Sequence, residues 1–266
     1  MPERRLLIDD PADIAHVARA LADGAVVATA FANFYVVVTR PDAATVRAVN
    51  LAKGRPVDQV GSLTTTRARI PAVFDWSSLP AGVDAKAVRD LMDDLWRLGP
   101  FGFRGPAAPG VPDHLSHAGT AQVIAPGYLC PSNQLFEAAG DPFLYITSAN
   151  RSRHLTGAAE EPAHWTAEGI AADFAHVDNL LIVEHRDEAA ARAMYPSFLP
   201  TSVTLLSFHT ARHAPDGRAV LAVDRHGSLD IATVRRYAAR RGFAVTLGEQ
   251  AQRRLQVRSY DLSEAA

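Results

Sequence analysis

The sequence predicts an α/β fold on a mixed sheet, and three observations predict it. Runs rich in aromatic and β-branched residues, at 25–30, 34–39 and 143–146, have the composition of buried strands. Capped amphipathic segments between the runs read as helices. The order begins helix, strand, strand, helix, which suggests a sheet that is not purely parallel.

At 266 residues the chain is long enough for one large domain whose core needs no disulfides. A hydrophobic fraction of 48% with 21% charged residues describes a chain packed throughout. Cys130 is the single cysteine, which excludes an internal bridge and a cysteine-rich metal site. No apolar stretch is long enough to be a membrane span, and Glu3, Arg4, Arg5, Asp9 and Asp10 do not read as a signal peptide, so a cytoplasmic location is expected. The net charge of -2 gives no overall attraction to nucleic acid, so such binding would need a local patch.

The first helix starts at Asp10, an N-cap acid followed by Pro11 at the first helical position and Asp13 in the first turn, and ends at Gly24. Strands at 25–30 and 34–39 follow, interrupted at Asn33. Pro41 and Asp42 open a helix whose Val46 and Val49 face inward before the break at Gly54. A helix at 84–97 turns Val88, Leu91 and Leu95 to one side. From 99 to 112, eight glycines and prolines in fourteen residues exclude helix and predict a structured loop. A short helix at 131–139 leads to the strand at 143–146; further strands are expected at 179–184, 202–207 and 219–223, with an inserted hairpin loop at 208–218. His114 and His117, and likewise His209 and His213, lack a third ligand in pattern, and no metal site is expected. In the last stretch Arg235, Arg236, Arg240, Arg241, Arg253, Arg254 and Arg258 stand against one acid, Glu249. This reads either as a solvated helical face or as a phosphate-backbone contact.

Two segments carry candidate chemistry. The strand at 143–146 stops at Thr147-Ser148-Ala149-Asn150, and ligands of open α/β sheets gather at strand carboxyl ends. The Ser148 hydroxyl and Asn150 carboxamide can point the same way and meet a phosphate or carboxylate; the same residues also read as a turn. Lys53 and Arg55 lie two apart where Gly54 and Pro56 break the helix, a plausible anion clamp or equally a helix end favoured by the macrodipole. The common nucleotide and hydrolase signatures are absent.

Taken in order, Lys53-Gly-Arg-Pro-Val-Asp58, Leu95-Trp-Arg-Leu-Gly-Pro100, Val111-Pro-Asp-His114, Thr147-Ser-Ala-Asn-Arg-Ser152, Thr201-Ser-Val-Thr204 and Arg225-His-Gly227 resemble the segments of the YrdC-like family, best known for threonylcarbamoyl-adenylate synthases of tRNA modification. The resemblance implies a YrdC-like twisted mixed sheet flanked by helices, with a concave basic ligand cleft, over 1–247, and a C-terminal helical tail over 248–266. It implies a nucleotidyltransferase that combines ATP, bicarbonate and L-threonine, or another small amino acid, into a carbamoyl-adenylate and pyrophosphate. Magnesium would be bound through the nucleotide. Lys53 and Arg55 would be catalytic; Thr147, Ser148, Asn150 and Arg225 would bind nucleotide; Asn33, Tyr35, Thr201 and Ser202 would bind the acid substrate.

The chain departs from that pattern at three places. Only Tyr35 survives of the family's Thr-Asp-Thr-x-Tyr at 31–35, Gly110 stands where a substrate-side arginine is expected, and Gln59 replaces a lysine. The losses at Phe31, Ala32 and Gly110 thin the acid side while sparing the nucleotide side. They leave open the alternative of an altered protein that binds nucleotide, tRNA or double-stranded RNA without synthase activity.

Overall fold

The computed structural model describes residues 5–178 and 180–260. Twelve strands form one sheet: β1 (Leu6–Leu7), β2 (Val27–Phe31), β3 (Phe34–Thr39), β4 (Ser62–Thr64), β5 (Phe101–Pro106), β6 (Ser116–His117), β7 (Thr120–Ala125), β8 (Leu144–Ser148), β9 (Leu181–Glu184), β10 (Leu205–His213), β11 (Ala219–Arg225) and β12 (Ala244–Leu247). Their order is β1-β9-β2-β3-β8-β4-β7-β5-β10-β11-β12, with β6 beside β7. The sheet is mixed as expected: β3, β8 and β4 run antiparallel in turn, whereas β4 with β7 and β5 with β10 are parallel. The helices are α1 (Pro11–Ala22), α2 (Ala43–Ala52), α3 (Ala85–Leu98), α4 (Ser132–Ala138), α5 (Arg153–Thr156), α6 (Ala167–Asp173), α7 (Glu188–Ala193) and α8 (Ile231–Arg240). No helix among the described residues is long and apolar enough to cross a membrane.

Aspartates start the main helices. Asp10, Asp42, Asp84, Asp187 and Asp230 each accept backbone N–H groups of the first turn, which satisfies donors that have no partner inside the helix. Helix α3 buries Val88, Leu91, Met92, Leu95 and Trp96. The Trp96 ring meets Phe103 edge-on at 5.1 Å, and its Nε1 donates to the Phe101 carbonyl at 2.9 Å.

That contact corrects the reading of 99–112. Residues 101–106 are β5, a central strand, and not a loop. Phe101 and Phe103 are buried on the helix side, while Gly102 and Arg104 alternate to the other face. The glycines that argued against regular structure make room for neighbours: a Cβ on Gly102 would lie 2.7 Å from Ile124 Cδ1, and one on Gly105 would lie 2.1 Å from the Phe208 ring.

The 208–218 loop is likewise shorter than expected, because β10 continues to His213 past an irregularity between Ser207 and Arg212. Asn179, where a strand was expected to begin, lies outside the described residues, as do Glu3, Arg4 and 261–266.

The expected helical tail is a second correction. Its described part is a single 3-10 turn, Glu249–Ala251, followed by irregular chain to residue 260. Side chains from the body hold it instead of helical hydrogen bonds. Arg253 pairs with Glu160 at 2.6 Å and Arg258 with Glu161 at 3.1 Å; Arg254 donates to the Gly227 and Ser228 carbonyls; Leu255 N–H donates to the His226 carbonyl. Arg241 of the same basic stretch pairs with Asp94 at 2.7 Å. The acids missing from the local sequence are supplied by distant segments.

The described tail reaches His164, which is buried and bonded through Nδ1 to the Tyr260 hydroxyl and through Nε2 to Asp173, each at 2.7 Å. Burial holds His164, His185, His209 and His226 below the ordinary histidine value of 6.5. The unfolded chain therefore binds protons more readily just below pH 6.5, and stability present above that value falls as the medium is acidified.

Two outcomes follow for urea denaturation. Leu95→Ala, which empties a fully buried site under α3, should lower the unfolding free energy by about 2–5 kcal/mol. In wild type the midpoint should drop between pH 7.5 and pH 5.5, and His164→Asn should make that drop shallower; a pH-independent midpoint would contradict the burial argument.

Candidate functional site

The segment after α2 is shaped by a buried amide. Asn50 faces inward at the last turn, its Nδ2 donating to the Val57 carbonyl at 3.0 Å and to the Gln59 carbonyl at 2.9 Å, while its backbone carbonyl receives Arg55 N–H at 2.8 Å. Tyr145 of β8 donates its hydroxyl to Asn50 Oδ1 at 3.1 Å and also bonds Arg55. Gly61 admits that ring, since a Cβ there would lie 2.2 Å from Tyr145 Cε2. The loop from Lys53 to Gly61 is thus moulded on one side chain.

Lys53 itself is fully buried. Its ammonium donates to the carbonyls of Ser148 and Asn150, and its own carbonyl accepts Ser152 N–H at 2.7 Å. Burial, and then the neighbouring Arg55, hold its pKa well below the ordinary lysine value. The two candidate segments therefore meet, but Lys53 meets the other as a prop for its backbone.

Above that prop the Ser148 hydroxyl donates to Asn150 Oδ1, and Asn150 Nδ2 donates to the Arg151 carbonyl at 2.6 Å. The loop is pinned to β3, with Ala149 N–H donating to the Tyr35 carbonyl at 3.0 Å. The strand end is therefore both a turn and a wall of a cleft. That cleft, about 520 Å³ in one lobe, is lined by Arg55, Gln59, Thr147, Ser148, Ser202 and Arg225 among others. A continuous second lobe reaches Asn150 and Thr201 and is walled by Arg253 and Leu255 of the tail.

Three guanidinium groups converge there. Arg225 Nε donates to the Val203 carbonyl at 2.8 Å, and burial, then Arg104 and Arg55, press its pKa down to about 10. Burial also lowers Arg55. Arg104 pairs with Asp224 at 3.0 Å and with Gln122 Oε1 at 2.7 Å. Mutual repulsion of cations in a partly desolvated cleft is relieved by an anionic ligand. Two buried polar atoms of the lining, Thr201 Oγ1 and Gln59 Oε1, have no protein partner, and such atoms are rare unless a ligand or water meets them.

Of the ten positions named from sequence, Arg55, Thr147, Ser148, Asn150, Thr201, Ser202 and Arg225 line this cleft, and Lys53 lies directly behind it. Asn33 and Tyr35 do not. Asn33 is buried in the β2–β3 turn with Nδ2 donating to the Phe198 carbonyl at 2.9 Å; Tyr35 points through the opposite face of β3, its hydroxyl bonding Glu188 at 2.7 Å. The residues flanking Tyr35, Phe34 and Val36, face the cleft instead, as strand alternation requires. Gly110 is exposed and a side chain there would enter open space. Arg104, Gln122 and Asp224 were missed. The alternation of Phe101 and Phe103 with Gly102 and Arg104 was the signal that could have found the first of them.

No family model and no curated protein matches the sequence. Solved structures do match. Sua5 of P. abyssi in complex with L-threonine aligns with a TM-score of 0.65 at 18% identity, over 89% of this chain and 60% of that one, so the chain spans less than two thirds of that protein's length. The hypothetical protein smu.1377c of Streptococcus mutans aligns at 0.65 and 14% identity, over 93% of this chain and all of that one. E. coli YciO aligns at 0.55 and 17% identity, over 77% and 89%. The expectation from the ordered motifs holds at the level of fold, and the chain is a divergent protein with the YrdC-like fold of Sua5 and YciO.

Proposed function

We propose that the chain is a nucleotide-binding enzyme that forms an acyl- or carbamoyl-adenylate, with release of pyrophosphate, in a role related to tRNA modification. The observation that carries this reading is the convergence of Arg55 and Arg225 with the Ser148–Asn150 loop in one cleft. The L-threonine bound to the similarly folded Sua5 makes threonine, with ATP and bicarbonate, the first substrate set to test.

In such a reaction a carboxylate or carbamate must approach a phosphate of the same sign. Arg55 and Arg225 would offset that repulsion and favour the charge that develops on the departing pyrophosphate. Ser148 supplies a hydroxyl from the strand end, and the Thr201 hydroxyl and the side-chain Oε1 of Gln59 remain for a sugar or base. Lys53 acts through the backbone it supports, which keeps Ser148 and Asn150 facing the ligand. No protein nucleophile is required. The residues fit a polyanion and offer no group of three acidic, histidine or cysteine ligands among the described residues, so magnesium would be carried by the triphosphate, where it screens phosphate charge.

Purified protein with ATP and magnesium should release pyrophosphate when a small carboxylic acid is supplied, with L-threonine plus bicarbonate as the first set tried. Loss of nucleotide binding by calorimetry would overturn the reading. Arg55→Ala and Arg225→Ala should each lower kcat about 10²–10³-fold with the fold intact by circular dichroism. Gly61→Ala should displace the Tyr145 ring, cost about 1–3 kcal/mol of stability and weaken nucleotide binding through Arg55.

A further inference from the structure

The cleft holds a cation that none of the segments shared with the YrdC-like pattern contains. Arg104 rises from the middle of β5 at the centre of a side-chain ladder that crosses the sheet. Its Nη2 donates to Gln122 Oε1 on β7, Gln122 Nε2 donates to Ser62 Oγ on β4, and on the other side Nη1 and the Ser207 hydroxyl both reach Asp224 Oδ2. The ladder fixes the guanidinium plane while leaving further N–H donors for a ligand, and a held, planar fork is the geometry that carboxylates select.

Register shows what lies beside it. Arg104 pairs with Gln122, and Ser62 pairs with Ile146, so the row from Arg104 passes through Gln122 and Ser62 to Ile146. Three strand spacings separate its ends, roughly 14 Å. At the far end Ile146, with Phe34 and Val36 of β3 beyond it, makes an apolar wall, and Ile124 extends it towards Gly102. One end of the row is therefore cationic and the other greasy.

The same lobes offer an ammonium group no unengaged carboxylate among the described residues. Each carboxylate among their described residues is already engaged by an arginine: Asp58 by Arg47 at 2.8 Å, Asp224 by Arg104 at 3.0 Å, Glu160 by Arg253 at 2.6 Å and Glu161 by Arg258 at 3.1 Å. A zwitterionic acid would bring its ammonium among arginines with only the neutral Gln59 Oε1 and Thr201 Oγ1 to accept from it, at a cost that an acid lacking the group avoids.

We propose that Arg104 binds the carboxylate of the acceptor, and that the acceptor is an aryl or branched aliphatic monocarboxylic acid without an α-ammonium group. Its activation rests on the adenylate-forming reading above. One carboxylate oxygen attacks the α-phosphorus of ATP, the bond from that phosphorus to the bridging oxygen of the β-phosphoryl group breaks, and pyrophosphate leaves with the electron pair. The product is an acyl-adenylate; no proton is transferred and no bicarbonate is consumed.

The test uses the full chain with 3-phenylpropanoate and 4-methylpentanoate as probes and 3-phenylpropanamide and L-threonine as controls. Calorimetry should detect both acids and neither control, and pyrophosphate release with ATP and magnesium should proceed without bicarbonate. Arg104→Met should raise KM for 3-phenylpropanoate at least tenfold while KM for ATP stays within twofold. If the Met variant does not fold, Arg104→Lys, which keeps the charge beside Asp224 but not the fork, should still show that split. An unchanged KM for the acid, equal shifts for acid and ATP, or tighter binding of L-threonine than of 3-phenylpropanoate would overturn the proposal. Nucleotide binding without acid binding defeats this inference alone, whereas acid binding without nucleotide binding defeats the adenylate reading and leaves the Arg104 site standing.

Discussion

The site depends on a buried ammonium group. Lys53 sits buried at the end of α2 and gives hydrogens to two carbonyls of a loop nearly a hundred residues away. A buried lysine is costly unless its donors find acceptors, and here the two observed acceptors are in place only if the loop after β8 takes one path. That requirement fixes Ser148 and Asn150, and through Ser152 N–H it also fixes the start of α5. The charge is used to set the shape of a backbone, and the cations left to meet a ligand are arginines.

Those arginines are arranged in a graded way. Arg55 is tied to Tyr145 and the Asn50-moulded loop, Arg225 to the Val203 carbonyl, and Arg104 to a carboxylate and an amide on the sheet. Only Arg104 has an acid partner, so the cluster retains positive charge that the protein does not neutralise. Arginine suits this better than lysine because it stays protonated when crowded and partly desolvated. The tail arginines differ: Arg241, Arg253 and Arg258 are paired with acids from the body, and Arg236 and Arg240 lie against the Tyr237 ring at 5.7 and 5.0 Å.

Much of this was legible in the sequence, for reasons that differ by element. Aspartate caps and apolar spacing located α1, α2 and α3 because those signals act within one or two turns of chain. The β3 and β8 strands were legible because their β-branched and aromatic residues are buried on both faces. Strand β5 was not, since its glycines answer to Phe208 and Ile124, which are brought there only by the finished sheet. Asn33 and Tyr35 were misplaced because matching a motif gives position along the chain and not the face of a strand, and Tyr35 lies on the odd side of β3. The tail misled for a similar reason: its lone acid hid the glutamates at 160 and 161 that hold it down.

The ladder through Ser62, Gln122, Arg104, Ser207 and Asp224 draws on β4, β7, β5, β10 and β11, and two of its contacts, Arg104 with Asp224 and Gln122 with Ser62, join residues 120 and 60 positions apart. Such long loops must close before those contacts are rewarded, so the full anchoring of Arg104 waits on the docking of distant strands. A chain still on a ribosome, or one arrested with its final strands undocked, would carry every residue of the cleft and yet have no oriented fork to offer. Competence to hold an acid is in this sense a certificate of completed folding.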